Sequence, residues 1–156
     1  MSRISLPDEA ATARLGAALA PGAQSGRVLF LSGELGAGKT TLVRGLLRAL
    51  GYAGRVKSPT YGLLELYPLS RLNLYHFDFY RVKDRSEWDS SGFRDYFNPE
   101  SVCLVEWPER AGESLAPPDL EVRLDFTGEA RSAALTAYSE AGRAWLEDAL
   151  RRWQPA

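Results

Sequence analysis

Short apolar runs alternate with amphipathic stretches along this chain, and that alternation predicts an α/β fold. The segment "RVLFLS" is almost continuously apolar, which is typical of a strand buried on both faces of a sheet. Leucine and valine then recur at helical spacing between Lys39 and Leu50, which predicts a helix directly after that strand. "SVCLVE" reads as another buried strand. Helices interleaved with apolar strands favour a sheet with a parallel core.

The segments on either side of this core predict antiparallel additions at the edges of the sheet. "RISL" is an expected edge strand, and Pro7 is expected to open a helix with Asp8 and Glu9 in its first turn. "SPTYGLLELY" and "RLNLYHFDFYR" predict a hairpin, and "LEVRLDF" and "AALTAY" predict two consecutive antiparallel strands. A short helix is expected within 86–97, and an amphipathic helix after Ser139 as its N-cap.

The stretch "GELGAGKTTL" joins the first buried strand to its helix and fits the phosphate-loop pattern G-x-x-x-x-G-K-[ST]. Glycine lets the backbone approach an anion closely, and the amides of residues 35–40 would point at the β-phosphate. The helix adds its positive end, Lys39 neutralises phosphate oxygens, and the Thr40 hydroxyl is offered to Mg²⁺. The predicted nucleotide-binding residues of the loop are Glu34, Leu35, Gly36, Ala37, Gly38, Lys39, Thr40 and Thr41.

Two carboxylates are candidates to complete a magnesium site and to act on the attacking water. Glu106 ends the strand "VCLVE", where phosphate-loop enzymes hold Mg²⁺ through an acid, although an ordinary strand-end glutamate is the alternative. Asp78 is the other candidate, and in a strand it shares one face with His76 and Tyr80. His76 is the sole histidine, which excludes a histidine-rich metal site. The sequence leaves the division of roles between the two acids open.

Two further positions bear on the nucleotide. Thr60 in "SPT" is a third catalytic candidate, because a loop threonine can reach the metal or the γ-phosphate; a simple turn is the alternative. Trp107 is expected either near the nucleotide or in the core. The chain has no Asn-Lys-x-Asp element for guanine, which favours adenine.

Composition narrows the possible partners. The chain has 156 residues and a formal net charge of −1, whereas a domain that grips nucleic acid alone is usually clearly basic. Cys103 is the one cysteine, so an intrachain disulfide is excluded. No stretch approaches the ~20 apolar residues of a membrane span, and "MSRISLPDEA" lacks the apolar core of a signal peptide. The expected location is therefore the cytoplasm, with no membrane partner.

Taken together, these motifs resemble the TsaE family, the small ATPases of bacterial tRNA threonylcarbamoyladenosine synthesis. The matching segments are "SLPDEA", "LSGELGAGKTTLVRGLLRALG", "SPTY", "LYHFDFYR", "VCLVEWPERAGE" and "LDFTGEAR", in that order over most of the chain. The resemblance implies one P-loop ATPase domain over 1–156, an NTPase-like mixed sheet with helices on both faces, and slow Mg²⁺-dependent ATP hydrolysis. It also implies two partner proteins, TsaD and TsaB, which modify an adenosine beside the tRNA anticodon, so tRNA is reached only through the complex.

The resemblance also assigns roles to residues. It implies that Thr40 and Glu106 hold Mg²⁺, that Asp78 lies near the γ-phosphate, that Thr60 belongs to a switch-like loop, and that the base lies near Glu9. The chain departs from the family's pattern in two places. Tyr61 stands where phenylalanine is frequent, and "RSEWDSSGFR" at 85–94 differs from the usual helix.

No arginine finger stands out, and that absence would explain slow turnover alone because such a residue is worth ~10³–10⁵ in rate. Arg81 or a partner is the expected source of one. Two rival functions remain: a small-molecule P-loop kinase, and a nucleotide-gated binding module that needs no hydrolysis.

Overall fold

The computed structural model describes residues 1–56, 64–69, 72–80, 92–111 and 115–153, and their strands form one mixed sheet. The seven strands found there are β1 (Ser2–Leu6), β2 (Val28–Ser32), β3 (Leu64–Pro68), β4 (Asn73–Asp78), β5 (Ser101–Glu106), β6 (Leu120–Thr127) and β7 (Ala130–Ala137). The same described ranges contain three α-helices: α1 (Glu9–Leu19), α2 (Lys39–Ala49) and α3 (Glu140–Arg152). The strand order is β1-β7-β6-β2-β5-β4-β3.

The centre of the sheet is parallel and both edges are antiparallel, as the sequence predicts. β2 pairs in parallel with β5 on one side and β6 on the other, and β5 pairs in parallel with β4. β3 pairs antiparallel with β4, while β6, β7 and β1 form antiparallel pairs at the other edge. Because parallel strands run in the same direction, their carboxyl ends lie side by side. The loop after β2 therefore lies next to the carboxyl ends of β4 and β5.

The two faces of the sheet are packed differently. One face carries aliphatic residues of the strands and all three described α-helices, and the Trp145 indole of α3 donates a hydrogen bond to the Leu19 carbonyl at 2.9 Å. The other face is aromatic, with Phe77 and Phe79 packed beneath a short 3-10 helix at Phe93–Tyr96. Helical segments thus cover both faces. The short helix expected within 86–97 is this 3-10 turn, and residues 81–91 lie outside the described chain.

Local capping explains where two helices begin. The Asp8 carboxylate accepts a hydrogen bond from the Ala11 amide at 2.8 Å, so Asp8 is the N-cap of α1 and not a first-turn residue as predicted. The Ser139 hydroxyl accepts from the Gly142 amide at 2.9 Å and caps α3, which confirms that prediction. Among the helices of the described residues, none combines the length and apolarity that crossing a bilayer requires.

Helices α1 and α2 pack against each other through glycine. An added Cβ on Gly16 would overlap the carbonyl oxygen of Leu42, and one on Gly45 would overlap that of Ala13. Any side chain at either glycine would therefore push the helices apart. This close packing places the start of α1 beside the start of α2, next to the loop that follows β2.

Candidate functional site

The loop between β2 and α2 has a backbone that requires glycine. Gly33, Gly36 and Gly38 have φ values of 140°, 81° and 109°, all in the left-handed region that other residues resist. A Cβ on Gly33 would also lie 2.5 Å from the Leu124 carbonyl oxygen. Gly38 is the N-cap of α2 and no side chain caps this helix, whose positive end therefore faces the loop, as at an anion site.

Lys39 is buried and folded back over the loop. Its ammonium donates to the Gly33 carbonyl and lies 4.1 Å from the centroid of the Trp107 ring. Burial lowers the pKa of Lys39, and the carboxylates of Glu106 and Asp78 act in the opposite direction. A phosphate would supply further negative charge to this desolvated cation. Trp107 thus lies beside Lys39 and also packs, partly buried, against the aromatic cluster, so its core placement is observed and its contact with a nucleotide stays a prediction.

Glu106 and Asp78 end neighbouring strands and are Cα partners across the β4–β5 pair. Glu106 is buried, and its Oε2 lies 2.6 Å from the Nε2 of His76. Asp78 is half-buried and accepts a hydrogen bond from the Tyr80 amide at 3.0 Å. Burial raises the pKa of Asp78 and nearby Glu106 adds to that rise, while the Tyr80 hydrogen bond opposes it. We call Lys39, Asp78, Glu106 and His76 the buried end of the loop.

The oxygen donors at the buried end fit Mg²⁺. Glu106 and Asp78 supply carboxylates, and the Thr40 hydroxyl follows Lys39 in the first turn of α2. Across the described ranges there is no cluster of three histidine, cysteine or acidic ligands. Mg²⁺ needs none, because it is held through one or two carboxylates together with water and substrate phosphates.

The opposite side of the loop is more open. A cavity of about 310 Å³ lies between the start of α1, the loop and the β6–β7 turn. The Thr41 hydroxyl donates to Glu9 Oε1 across 3.4 Å, which places Glu9 beside the first turn of α2; the expected position of the base near Glu9 stays a prediction. We call Glu9, Gly36, Thr41 and Arg131 the open end of the loop. The cavity is lined by Leu6, Asp8, Glu9, Thr12, Gly36, Ala37, Gly38, Thr41, Glu129, Ala130 and Arg131.

Arg131 connects the β6–β7 turn to the loop, a role that the sequence did not reveal. Its guanidinium donates to the Gly36 carbonyl at 3.3 Å and lies 4.2 Å from the centroid of the Phe126 ring. The only available signal was its place at the end of "LDFTGEAR". His76 was also missed as a partner of Glu106, although strand alternation had placed it on the face of Asp78.

The remaining predicted residues divide into three groups. Glu34 and Leu35 form the exposed tip of the loop, and Ala37 donates its amide to the Glu34 carbonyl at 3.1 Å. Thr40 and Thr41 occupy the first turn of α2. Thr60, with Tyr61 and Arg81, lies outside the described residues, and its catalytic role stays a prediction.

Comparison with known proteins agrees with this geometry. The family profile described as "Threonylcarbamoyl adenosine biosynthesis protein TsaE" matches residues 6–133. A protein of Haemophilus influenzae named tRNA threonylcarbamoyladenosine biosynthesis protein TsaE is 46% identical over 116 residues, covering 74% of this chain and 73% of its own. A protein of the same name from Bacillus subtilis is 41% identical over 124 residues, covering 79% and 75%.

A solved structure agrees as well. The crystal structure of YdiB from Bacillus subtilis superimposes with a TM-score of 0.82 and 30% sequence identity, over 96% of this chain and 94% of that one. The likeness therefore extends over nearly the whole of both folds. This chain belongs to the TsaE family of threonylcarbamoyl adenosine biosynthesis proteins.

Proposed function

We propose that this protein is a Mg²⁺-dependent ATPase that allows repeated rounds of tRNA threonylcarbamoyladenosine formation by TsaD and TsaB in the cytoplasm. The observation that supports this most is the meeting of Lys39, Asp78 and Glu106 beside the uncapped start of α2. These are a cation, two acids and the amides at a helix start without a side-chain cap, the groups that hold and cleave a triphosphate. The net charge of −1 supports contact with tRNA through partners.

The buried end would perform the chemistry. The loop amides and Lys39 bind the β- and γ-phosphates, and Thr40 and Glu106 are the residues that would hold Mg²⁺. The metal, when bound, supplies neutralising charge to the phosphate oxygens. Because Glu106 is held by His76 whereas Asp78 is more exposed, we assign Asp78 to the attacking water. The raised pKa of Asp78 makes it a better proton acceptor than an ordinary aspartate.

The open end would position the rest of the nucleotide. The cavity beside Glu9 and Thr41 adjoins Gly36, Ala37 and Gly38, so a ligand with phosphates on the loop can extend its base into that space. This proposal gives Glu9 a part in holding the base. Slow turnover in isolation follows if a partner completes the site.

The test is a tRNA modification assay with TsaD and TsaB, run beside phosphate release. Asp78→Asn should keep ATP binding and lower phosphate release by about 10²-fold or more, because general-base groups contribute about 10²–10⁴ in rate. The variant should then support only a single round of modification. Glu140→Gln, at an exposed position on α3, is the control and should behave as the unaltered protein.

Other outcomes would point to the rival functions. Full multiple-round modification by an Asp78→Asn protein that no longer releases phosphate would favour a nucleotide-gated binding module. Transfer of label from [γ-³²P]ATP to a small metabolite would favour a kinase.

A further inference from the structure

His76 lies at the centre of the buried end and holds Glu106, although it has no direct part in the proposed phosphate chemistry. Its side chain is 0% exposed and that of Glu106 is 4% exposed. Burying an imidazole among Leu74 and Leu104 is costly unless its nitrogens are satisfied. The chain nevertheless places its sole histidine there, with Nε2 at 2.6 Å from Glu106 Oε2.

The hydrogen bond indicates which nitrogen carries the proton. His76 Nδ1 is buried and has no hydrogen-bond partner among the described residues. A neutral ring with its proton on Nε2 donates to the carboxylate and leaves only a bare acceptor at Nδ1. The other tautomer would bury an N–H without an acceptor and place two lone pairs against each other. The ring is therefore a donor to Glu106.

The sheet fixes the geometry of this pair. In the β4–β5 register, Asp78 lies opposite Glu106. His76 lies opposite Leu104, two residues before the end of the strands and therefore further from the loop. His76 and Asp78 are on one face of β4, so Glu106 has the imidazole below it and the second acid beside it. The histidine engages one oxygen of the Glu106 carboxylate and restricts rotation of the other.

We propose that His76 is a positioning residue that orients the Glu106 carboxylate toward Mg²⁺. The inference rests on the proposed function, because it needs Glu106 to be a metal ligand. Groups that hydrogen-bond to a metal ligand fix its orientation, and their loss typically costs about 10–100-fold in metal affinity or activity. His76 does not itself contact the reacting atoms.

Three variants of His76 separate orientation from packing. Gln can place an amide N–H where the Nε2–H of histidine lies, whereas the shorter Asn cannot, and Leu offers no donor at all. Each purified variant is first checked for folding by circular dichroism and thermal unfolding. ADP affinity is then measured by calorimetry in EDTA and across a Mg²⁺ titration, which reports the metal without requiring turnover.

We expect His76→Leu and His76→Asn to raise the Mg²⁺ concentration needed for half-maximal enhancement of binding by about 10–100-fold. Affinity in EDTA should stay unchanged. His76→Gln should recover most of the Mg²⁺ response, to within about 3-fold of the unaltered protein, because it keeps the hydrogen bond. In a Glu106→Gln background, His76→Leu should have no further effect on the Mg²⁺ response.

Two results would overturn the inference in different ways. If all three His76 variants keep the Mg²⁺ response of the unaltered protein, or Gln and Asn lose it equally, His76 is a packing residue and the proposed function still stands. If the unaltered protein binds ADP with no dependence on Mg²⁺, the proposed metal role of Glu106 fails, and the role of His76 fails with it. Should His76→Leu not fold, the comparison of Gln with Asn decides.

Discussion

The buried end and the open end of the phosphate loop differ in how far their charged side chains are exposed to water. At the buried end, Lys39 and Glu106 are withdrawn from water and are held by fixed partners, the Gly33 carbonyl and His76. At the open end, Glu9 is exposed and meets Thr41 across a long 3.4 Å contact. Interactions between charges are strong where water is excluded and weak where it is present. The buried end is therefore suited to phosphate and metal, and the open end to placing the base.

The largest expected effect is at Lys39. Lys39→Met should lower ATP affinity by about 10²-fold, because losing one partner of a desolvated ammonium–phosphate contact costs about 2–5 kcal/mol of binding free energy. It should not lower the melting temperature, since the variant no longer desolvates an ammonium. Calorimetry measures the expected loss of ATP affinity, and thermal unfolding measures the melting temperature. Arg44→Met on the same helix is the control, and equal losses in both variants would contradict the assignment.

The next effect tests the contact between the β6–β7 turn and the phosphate loop. Arg131→Met removes the contact with the Gly36 carbonyl and the stacking on Phe126. We expect a loss of ATP affinity of about 3–10-fold, because such cation–π and hydrogen-bonding contacts are worth about 0.5–2 kcal/mol. Arg123→Met, at an exposed position on β6, serves as the matched control. An unchanged affinity in Arg131→Met would show that the β6–β7 turn does not organise the loop.

A smaller effect concerns stability and pH. Because the pKa of Asp78 is raised above its ordinary 3.8, the folded chain holds this proton more tightly than the unfolded chain does. Stability therefore falls as pH rises from 3.8 through the raised value. At neutral pH, Asp78→Asn should melt about 1–3 °C higher.

The gain from Asp78→Asn should shrink as the pH is lowered and vanish below 3.8, because Asp78 is then protonated in both the folded and the unfolded protein. Asp95→Asn, exposed on the aromatic face, is the control. A gain of the same size at every pH would mean that charge is not its cause.

The smallest effect is expected at the open end. Glu9→Gln keeps a side-chain oxygen for the Thr41 hydroxyl and removes only an exposed charge. Affinity for ATP should change by about 2-fold or less, because many exposed electrostatic contacts contribute nothing measurable. Titration calorimetry measures the ATP affinity of Glu9→Gln, with Glu140→Gln as the control. A loss as large as that of Lys39→Met would show that the open end also excludes water when nucleotide binds.

Local patterns in the sequence were sufficient for much of the fold. The loop glycines, the helix from Lys39 and the buried strand ending at Glu106 are each specified by residues close together in the chain. The parallel core and antiparallel edges followed from strand composition and hairpin spacing, and the structure confirms them. The family resemblance is confirmed by the comparisons.

The contacts that the sequence could not supply all join distant segments. The bond between His76 and Glu106 depends on the β4–β5 register, and that between Arg131 and Gly36 depends on β6 lying beside β2. The position of Lys39 over Trp107 depends on a side-chain rotamer and on a left-handed backbone at Trp107 with φ 57°. No periodic pattern encodes register or rotamer.

The glycine contacts between α1 and α2 have a mechanical consequence. Because no side chain separates them at Gly16 and Gly45, the backbones of the two helices are in close contact. We therefore expect the two helices to move together. A displacement of α2 on phosphate binding would thus be passed on to α1. Amide hydrogen exchange should slow in both helices together when ATP binds, whereas slowing in α2 alone would mean that the motion stops at their junction.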